Sequence, residues 1–210
     1  MWESRVAPLS GVLFAILLVA RFVVDGNTDF MPPADDVVAY LEDGPVRVMT
    51  AAYMGLLASG ALLWFSGSLR KHLGSLDDDG GRLGSLAMGG GVAAATLLAV
   101  GAVAIIAAAE RVRVVGSIEP GASAALFDLA GIALGNGAPI GLAVLVGGTG
   151  LAMVRSNQGP GWGRWASLLI ALGLVSPYAW IVLAGVLVWI PVIGTWIYRI
   201  ESMKSPAPVR

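Results

Sequence analysis

The amino-acid sequence predicts an all-α integral membrane protein, a bundle of about six transmembrane helices with both termini in the cytoplasm. Three observations carry that expectation. Of 210 residues, 57% are hydrophobic and only 13% charged, whereas a soluble domain is about one quarter charged and under half apolar. The mean hydropathy is +0.80. The 13 basic and 14 acidic residues gather between long apolar runs, so no charged shell is available to cover one compact core. An ordinary soluble domain, a disordered chain and, with no cysteine, a disulfide-built scaffold are excluded. A net charge of −1 gives no reason to expect nucleic acid, and the lipid bilayer is the expected partner.

A helix rises about 1.5 Å per residue, so crossing ~30 Å of hydrocarbon takes roughly 20 apolar residues. Spans are expected near 7–24, 48–69, 86–109, 122–154, 162–176 and 178–198. The first holds one charge, Arg21, and the second and third hold none. The fourth is interrupted only by Asp128, Asn136 and Pro139, and its Gly135-Asn136-Gly137 reads as a packing surface or a local helix break. The fifth has only 15 residues, and Pro177 parts it from the sixth. Residues 1–199 form a single domain, and 200–210, with Pro206 and Pro208, read as a flexible cytoplasmic tail. The apolar run 11–20 has the length of a signal-peptide core. However, Arg21 follows it directly and no small-residue cleavage site stands behind, so a retained first span is expected.

Orientation follows from lysine and arginine. With both termini inside, the inner segments hold Arg5, Arg70, Lys71, Arg82, Arg155, Arg164, Arg199, Lys204 and Arg210, the outer loops only Arg47, Arg111 and Arg113. Nine against three is the asymmetry of a positive inner face. Trp64, Trp162, Trp165 and Trp196 then fall at the inner interface, Tyr178 and Trp180 at the outer.

The outer loop 25–46 is acidic, and Pro32-Pro33 can open a short helix over 34–41. Val37, Val38 and Leu41 lie along one side of it, as a helix at the outer interface requires. The inner loop 70–84 is polar and glycine-rich, hence a flexible connection. Between lipid-embedded helices the hydrophobic force is small, and packing depends on small residues that let backbones approach. The chain has 29 glycines, many at four-residue spacing: Gly55 with Ser59, Gly131 with Gly135, Gly137 with Gly141. Packing within the bundle is the leading reading of these faces; a homo-oligomer or a membrane-protein partner is the alternative.

The absence of cysteine and the single histidine exclude Cys–His catalysis and multi-His metal or haem ligation. His72, in Arg70-Lys71-His72, reads as part of an interfacial basic cluster. Asp25-Gly26-Asn27-Thr28-Asp29 has the first ligand positions of a calcium loop, but Phe30 replaces its glycine and Pro32-Pro33 stiffen it. A solvated acidic loop is the better reading. No catalytic, cofactor-binding or metal residues are assigned. What stands out is a set of polar residues near or within the outer leaflet: Arg21, Arg47, Glu110, Asp128 and Asn136. A charge in hydrocarbon costs at least ~2.5–3.5 kcal/mol, so such groups pair, snorkel or serve a function. Arg21 is expected to reach the outer interface, or to pair with Asp128, with Arg47 the second partner. Asp128 shares a helix face with Gly131 and Gly135 and should point into the bundle.

The cadence "APLSGVLFAILLVARFVV", then "PPADDVVAYLED" and "YMGLLASGALLWFSGSLRKHL", followed later by "ALFDLAGIALGNGAPIGLAVLVGGTGLAMVRS" and "PGWGRWASLLIALGLV", resembles small uncharacterised multi-span membrane proteins common in actinobacteria. The resemblance covers most of the chain and implies a bacterial cell-membrane protein. It carries no catalytic signature and transfers no functional residues. Two functions remain in view: a non-catalytic accessory, scaffold or membrane-organising subunit, or a small transporter, channel or lipid- or small-molecule-binding protein with an outward pocket near Asp128. An intramembrane enzyme is the weakest reading, since it needs several convergent polar groups.

The orientation is open to test because the chain lacks cysteine. Ser117→Cys should react with an impermeant thiol reagent on intact cells, and Ser75→Cys only after permeabilisation. Labelling of the Ser75→Cys protein in intact cells would reverse the assignment.

Overall fold

The computed structural model describes residues 7–26, 32–75 and 81–203. Among them every regular element is helical. Five helices are long and apolar enough to cross a membrane: Ala7–Asp25, Pro45–Gly74, Arg82–Val115, Pro120–Arg155 and Ala179–Ile200. The chain is an all-α protein of the membrane class. In order, a 3₁₀ turn (Ala7–Leu9) leads into α1 (Ser10–Asp25), then come α2 (Ala34–Asp43), α3 (Pro45–Gly74), α4 (Arg82–Val115) and α5 (Pro120–Ile132). A π-helical turn (Ala133–Gly137) joins α5 to α6 (Ala138–Arg155), and α7 (Gly161–Leu174) and α8 (Ala179–Met203) complete the bundle.

The segment expected as a fifth span forms α7, a helix of 14 residues. At about 1.5 Å per residue it is roughly 21 Å long, short of the hydrocarbon thickness. Where a single fourth span was expected, α5 and α6 run as one rod through the π turn. The turn has a local cause. Pro139 has no N–H and its ring would clash with the carbonyl four residues back, and widening the helix relieves both. Accordingly the amide of Ala138 bonds the carbonyl of Ala133, five residues back. At the far end, α8 continues to Met203 instead of stopping near 198, and 204–210 lie outside the described residues.

The connections are set by ordinary capping chemistry. Gly116 ends α4 in a left-handed conformation, its amide bonding the Val112 carbonyl at 2.8 Å. Three residues on, the Glu119 carboxylate caps α5 by accepting from the Ala122 amide at 2.8 Å, with Pro120 opening the helix. Between α6 and α7, Arg164 donates to the carbonyls of Asn157 at 2.6 Å and of Gln158 and Gly159 at 3.2 Å.

Helix α3 lies between α1 and α4; α4 packs in turn on α6, α6 on α7, and α8 runs beside α7 and closes onto α1. The bundle thus has two ends, named here for Arg21 and His72. The main core runs through the His72 end and the middle, where Phe14, Leu62, Phe65, Leu69, Ile190 and Ile193 are almost fully buried. Within it the Trp189 indole donates to Ser167 Oγ at 2.8 Å, and that hydroxyl donates to the Gly163 carbonyl at 2.7 Å. This satisfies polar groups that find no water there. His72 is not an exposed interfacial anchor: it is buried, edge-on to Trp196 at 5.4 Å. A second, alanine-rich core at the Arg21 end joins Ala52, Ala104, Ala108, Ala109 and Ala130 to Val37 and Leu41 of α2.

Backbone contact between α4 and α6 is closest at glycine. A Cβ on Gly141 would stand 2.5 Å from the Ala94 amide nitrogen, and one on Gly90 would stand 2.6 Å from the Gly141 carbonyl oxygen. On the other side of α4, Ser66 Oγ occupies the space where a Gly91 side chain would begin. By contrast, a Cβ on Gly60 or Gly67 meets nothing within 4 Å. Gly141→Ala should therefore lower stability by ~1–3 kcal/mol through overpacking. Gly60→Ala should be neutral or mildly stabilising, because alanine is the better helix former. Thermal melting in detergent reads both, and equal tolerance at the two positions would contradict the glycine contact.

Candidate functional site

The polar residues of the Arg21 end fall into three separate arrangements. The first is built on α1, α2 and α3. Helix α1 turns the Arg21 side chain onto α3, where it is 5% exposed. Space for it exists because position 55 is glycine: a Cβ there would lie 2.7 Å from Arg21 Nη1. Arginine was expected to snorkel to the interface. However, Cα–Cβ bonds tilt toward a helix's N-terminus, so a residue in the last turns of α1 starts out pointing away from that interface.

Above Arg21 lies α2, ten residues from Ala34 to Asp43. Its Val37 and Leu41 are 1% and 0% exposed and seat it on α3, α4 and α5. Tyr40 follows Val37 by three positions and so shares that face. Its hydroxyl donates a hydrogen bond to the Asp25 carboxylate at the end of α1, and its ring meets Phe127 edge-on at 6.0 Å. Burial, followed by the bond to Asp25, pushes the Tyr40 phenol well above its ordinary range. Arg47 lies over the Tyr40 ring, 5.4 Å from its centroid, and 3.9 Å from Asp43.

Arg21 itself makes no hydrogen bond or ion pair among the described residues, and its buried Nε has no partner. Asp25 lies near enough to act on it electrostatically, but that carboxylate is held by Tyr40. The expected pairing of Arg21 with Asp128 is not formed, because α1 packs on α3 and α5 on α4, which keeps their two helices apart.

The second arrangement is an exposed pair on one helix, Glu110 with Arg113, at 2.8 Å from Nε to the carboxylate. Such a solvent-screened pair on one helix adds little to stability. The third is Asp128 and Asn136. Asp128 is half-buried and Asn136, in the π turn, is exposed; neither has a hydrogen bond or ion pair among the described residues. Gly131 and Gly135 are likewise half-buried. The five residues are therefore not gathered into one cluster. Of the calcium-loop positions, Asn27, Thr28, Asp29 and Phe30 lie outside the described residues. Among the described residues, no group of three His, Asp or Glu side chains converges to hold a metal.

Two contributors escaped sequence reasoning. Tyr40 carried a readable signal, since it lies on the same face as Val37 and Leu41. Gly55 looked like one packing glycine among many, and only its neighbour shows that it accommodates a guanidinium. The Tyr40–Asp25 bond has a measurable consequence. Because the folded state favours the protonated phenol, the bond stabilises below the free tyrosine pKa of ~10, and that contribution is lost as pH rises beyond it. Tyr40→Phe should thus cost ~1–2 kcal/mol at neutral pH, with the gap to wild type narrowing in melts above pH ~10. A gap that is constant with pH would mean the phenol is not held by the carboxylate.

The chain matches no protein-family model, and neither the curated proteins nor the solved structures provide a match.

Proposed function

We propose that this chain is a non-catalytic accessory or membrane-organising subunit of a bacterial cell membrane, and that it works by seating a partner's transmembrane helix. The observation that carries the reading is a groove of about 510 Å³ on the apolar face, between α4 and α6. Gly89, Gly90, Gly137 and Gly141 line it, with Leu86, Leu97, Ile140 and Val144 along its sides. Leu86 and Ile140 are 52% and 58% exposed, so the groove opens outward. Gly90 and Gly141 hold its two walls together, and at Gly89, where a Cβ would meet nothing within 4 Å, bare backbone lets a second helix approach closely enough for van der Waals contact, the main attraction available in lipid.

Six crossings with both termini cytoplasmic suit this reading. Helix α7 is short, but it climbs beside α8: Gly173 faces Val182 and Ser167 bonds Trp189. In turn α8 meets α1 at Ile190 with Gly11, and the 3₁₀ turn before α1 at Gly194 with Pro8. Counting 1.5 Å per residue along these contacts, the tip of the hairpin stands at about the height of Arg21, close to the end of α1. Of the nine basic residues assigned to the inner side, Arg70, Lys71, Arg82, Arg155 and Arg199 flank helix ends at the His72 end. The resemblance to small actinobacterial membrane proteins agrees with a cell-membrane location.

A transporter or binding protein centred on Asp128 is the less favoured reading. Two residues on from it α4 and α5 are closely packed: a Cβ on Gly101 would stand 3.3 Å from the Ala130 carbonyl oxygen. The test uses Gly89, where a Cβ meets nothing within 4 Å. Gly89→Leu should melt like wild type yet lose the associated helix-bearing partner, read as complex mass after gentle extraction into lipid nanodiscs. Wild-type protein extracted as a lone chain, or an unchanged complex in Gly89→Leu, would remove the proposal.

A further inference from the structure

We infer that Arg21 is the recognition group of a phosphate-binding site formed by α1, α2 and α3, taking the phosphate of a phospholipid headgroup or free inorganic phosphate. The inference starts from an unmet requirement. A guanidinium carries five N–H donors and stays charged at any physiological pH. Here it is 5% exposed, its Nε is buried without an acceptor, and the terminal nitrogens bond no described residue. An acceptor is needed, and among the described residues none meets it: Asp25 acts on Arg21 electrostatically and accepts from the Tyr40 hydroxyl, but takes no hydrogen bond from the guanidinium.

The surroundings favour an oxyanion in spite of Asp25. Gly55 leaves the guanidinium room against α3, where any side chain would displace Nη1. Arg47, over the Tyr40 ring at 5.4 Å, brings a second positive charge to the rim, with Asp43 beyond it at 3.9 Å. The planar fork of arginine matches two phosphate oxygens at once, a geometry lysine cannot reproduce. Depth narrows the ligand class further. Arg21 lies one turn inside the end of α1, which in a bilayer is the boundary between acyl chains and headgroups, where phosphate esters are concentrated. This site shares no residue with the groove between α4 and α6, so the two proposals stand or fall separately.

The test uses the full chain, purified in detergent and stripped of lipid. Phosphatidylglycerol is added in one arm, and sodium phosphate against sodium chloride at equal ionic strength in the other. Binding is read by native mass spectrometry and by the melting temperature. The expected result is one tightly held phosphate-bearing ligand per chain. Its affinity should fall roughly tenfold or more in Arg21→Gln, fall also in Arg21→Lys, and be unchanged in Arg113→Gln at the same end of the bundle. Stabilisation by phosphatidylglycerol alone identifies a lipid headgroup, and stabilisation by inorganic phosphate identifies the free ion. No stabilisation in either arm overturns the inference, as does equal binding by Arg21→Gln. Should Arg21→Gln fail to fold, Gly55→Ala serves instead, since it displaces the guanidinium without removing its charge; undiminished binding there overturns the inference equally.

Discussion

The bundle depends on the absence of two side-chain atoms. At Gly90 and Gly141 the backbones of α4 and α6 come so close that one Cβ on either would overlap the opposite main chain. In water such an approach would be a minor detail beside hydrophobic burial. In lipid the tails solvate leucine as well as another helix does, and attraction comes from dispersion over short distances. The glycine contact is therefore what brings the second half of the molecule onto the first. Everything beyond it is placed through α6: α7 packs on α6, with Gly150 against Ser167, and α8 follows α7 back to α1.

The two ends of the bundle solve different problems. Around Phe14, Phe65 and Ile190, large side chains interlock and the few polar groups bond one another, as Trp189 does with Ser167. At the Arg21 end half of the buried core residues are alanine, which brings helices close, and no phenylalanine or tryptophan is fully buried among them. A buried cation there has no close partner from α3, α4 or α5. Compensation comes from the α1–α2 region, with Asp25 acting at a distance and Tyr40 fixing where that carboxylate can go.

Much of this fold was legible because hydropathy is a local property. Each long apolar run maps onto a helix, and even α2 follows from Pro32-Pro33 and the spacing of Val37 and Leu41. Helix ends were less legible. Polar segments such as 110–115 continue α4 beyond the apolar core, since leaving lipid does not end a helix; the cap at Gly116 does. The π turn was half readable, because Pro139 announces a fault without saying whether the helix breaks or widens. The arrangement around Arg21 was not legible at all. Which helices are neighbours is a property of the assembled bundle, and Asp128, at a comparable depth, read as the partner of Arg21. The deciding facts were the order in which α1, α3, α4 and α5 pack and a glycine on α3, neither of which acts on Arg21 through sequence proximity.

Helix α2 ties these threads together. A ten-residue helix is too short to be stable alone in water, because nucleation costs more than a few backbone bonds return. Its order must come from what it buries, namely Val37 and Leu41 in the alanine core, with Tyr40 bound to Asp25 and packed on Phe127. Tyr40 also stands near enough to Arg21 to act on it electrostatically. Seating of α2 and burial of the guanidinium take place at the same end of the bundle, and their energies oppose each other. Two apolar side chains favour closure by about 1.5–3 kcal/mol apiece, while a charge without an acceptor resists it by a comparable amount. An anion seated on Arg21 removes the opposing contribution and leaves the apolar one intact. The end of the bundle that looks weakest in packing is thus the end whose stability a ligand can most readily change.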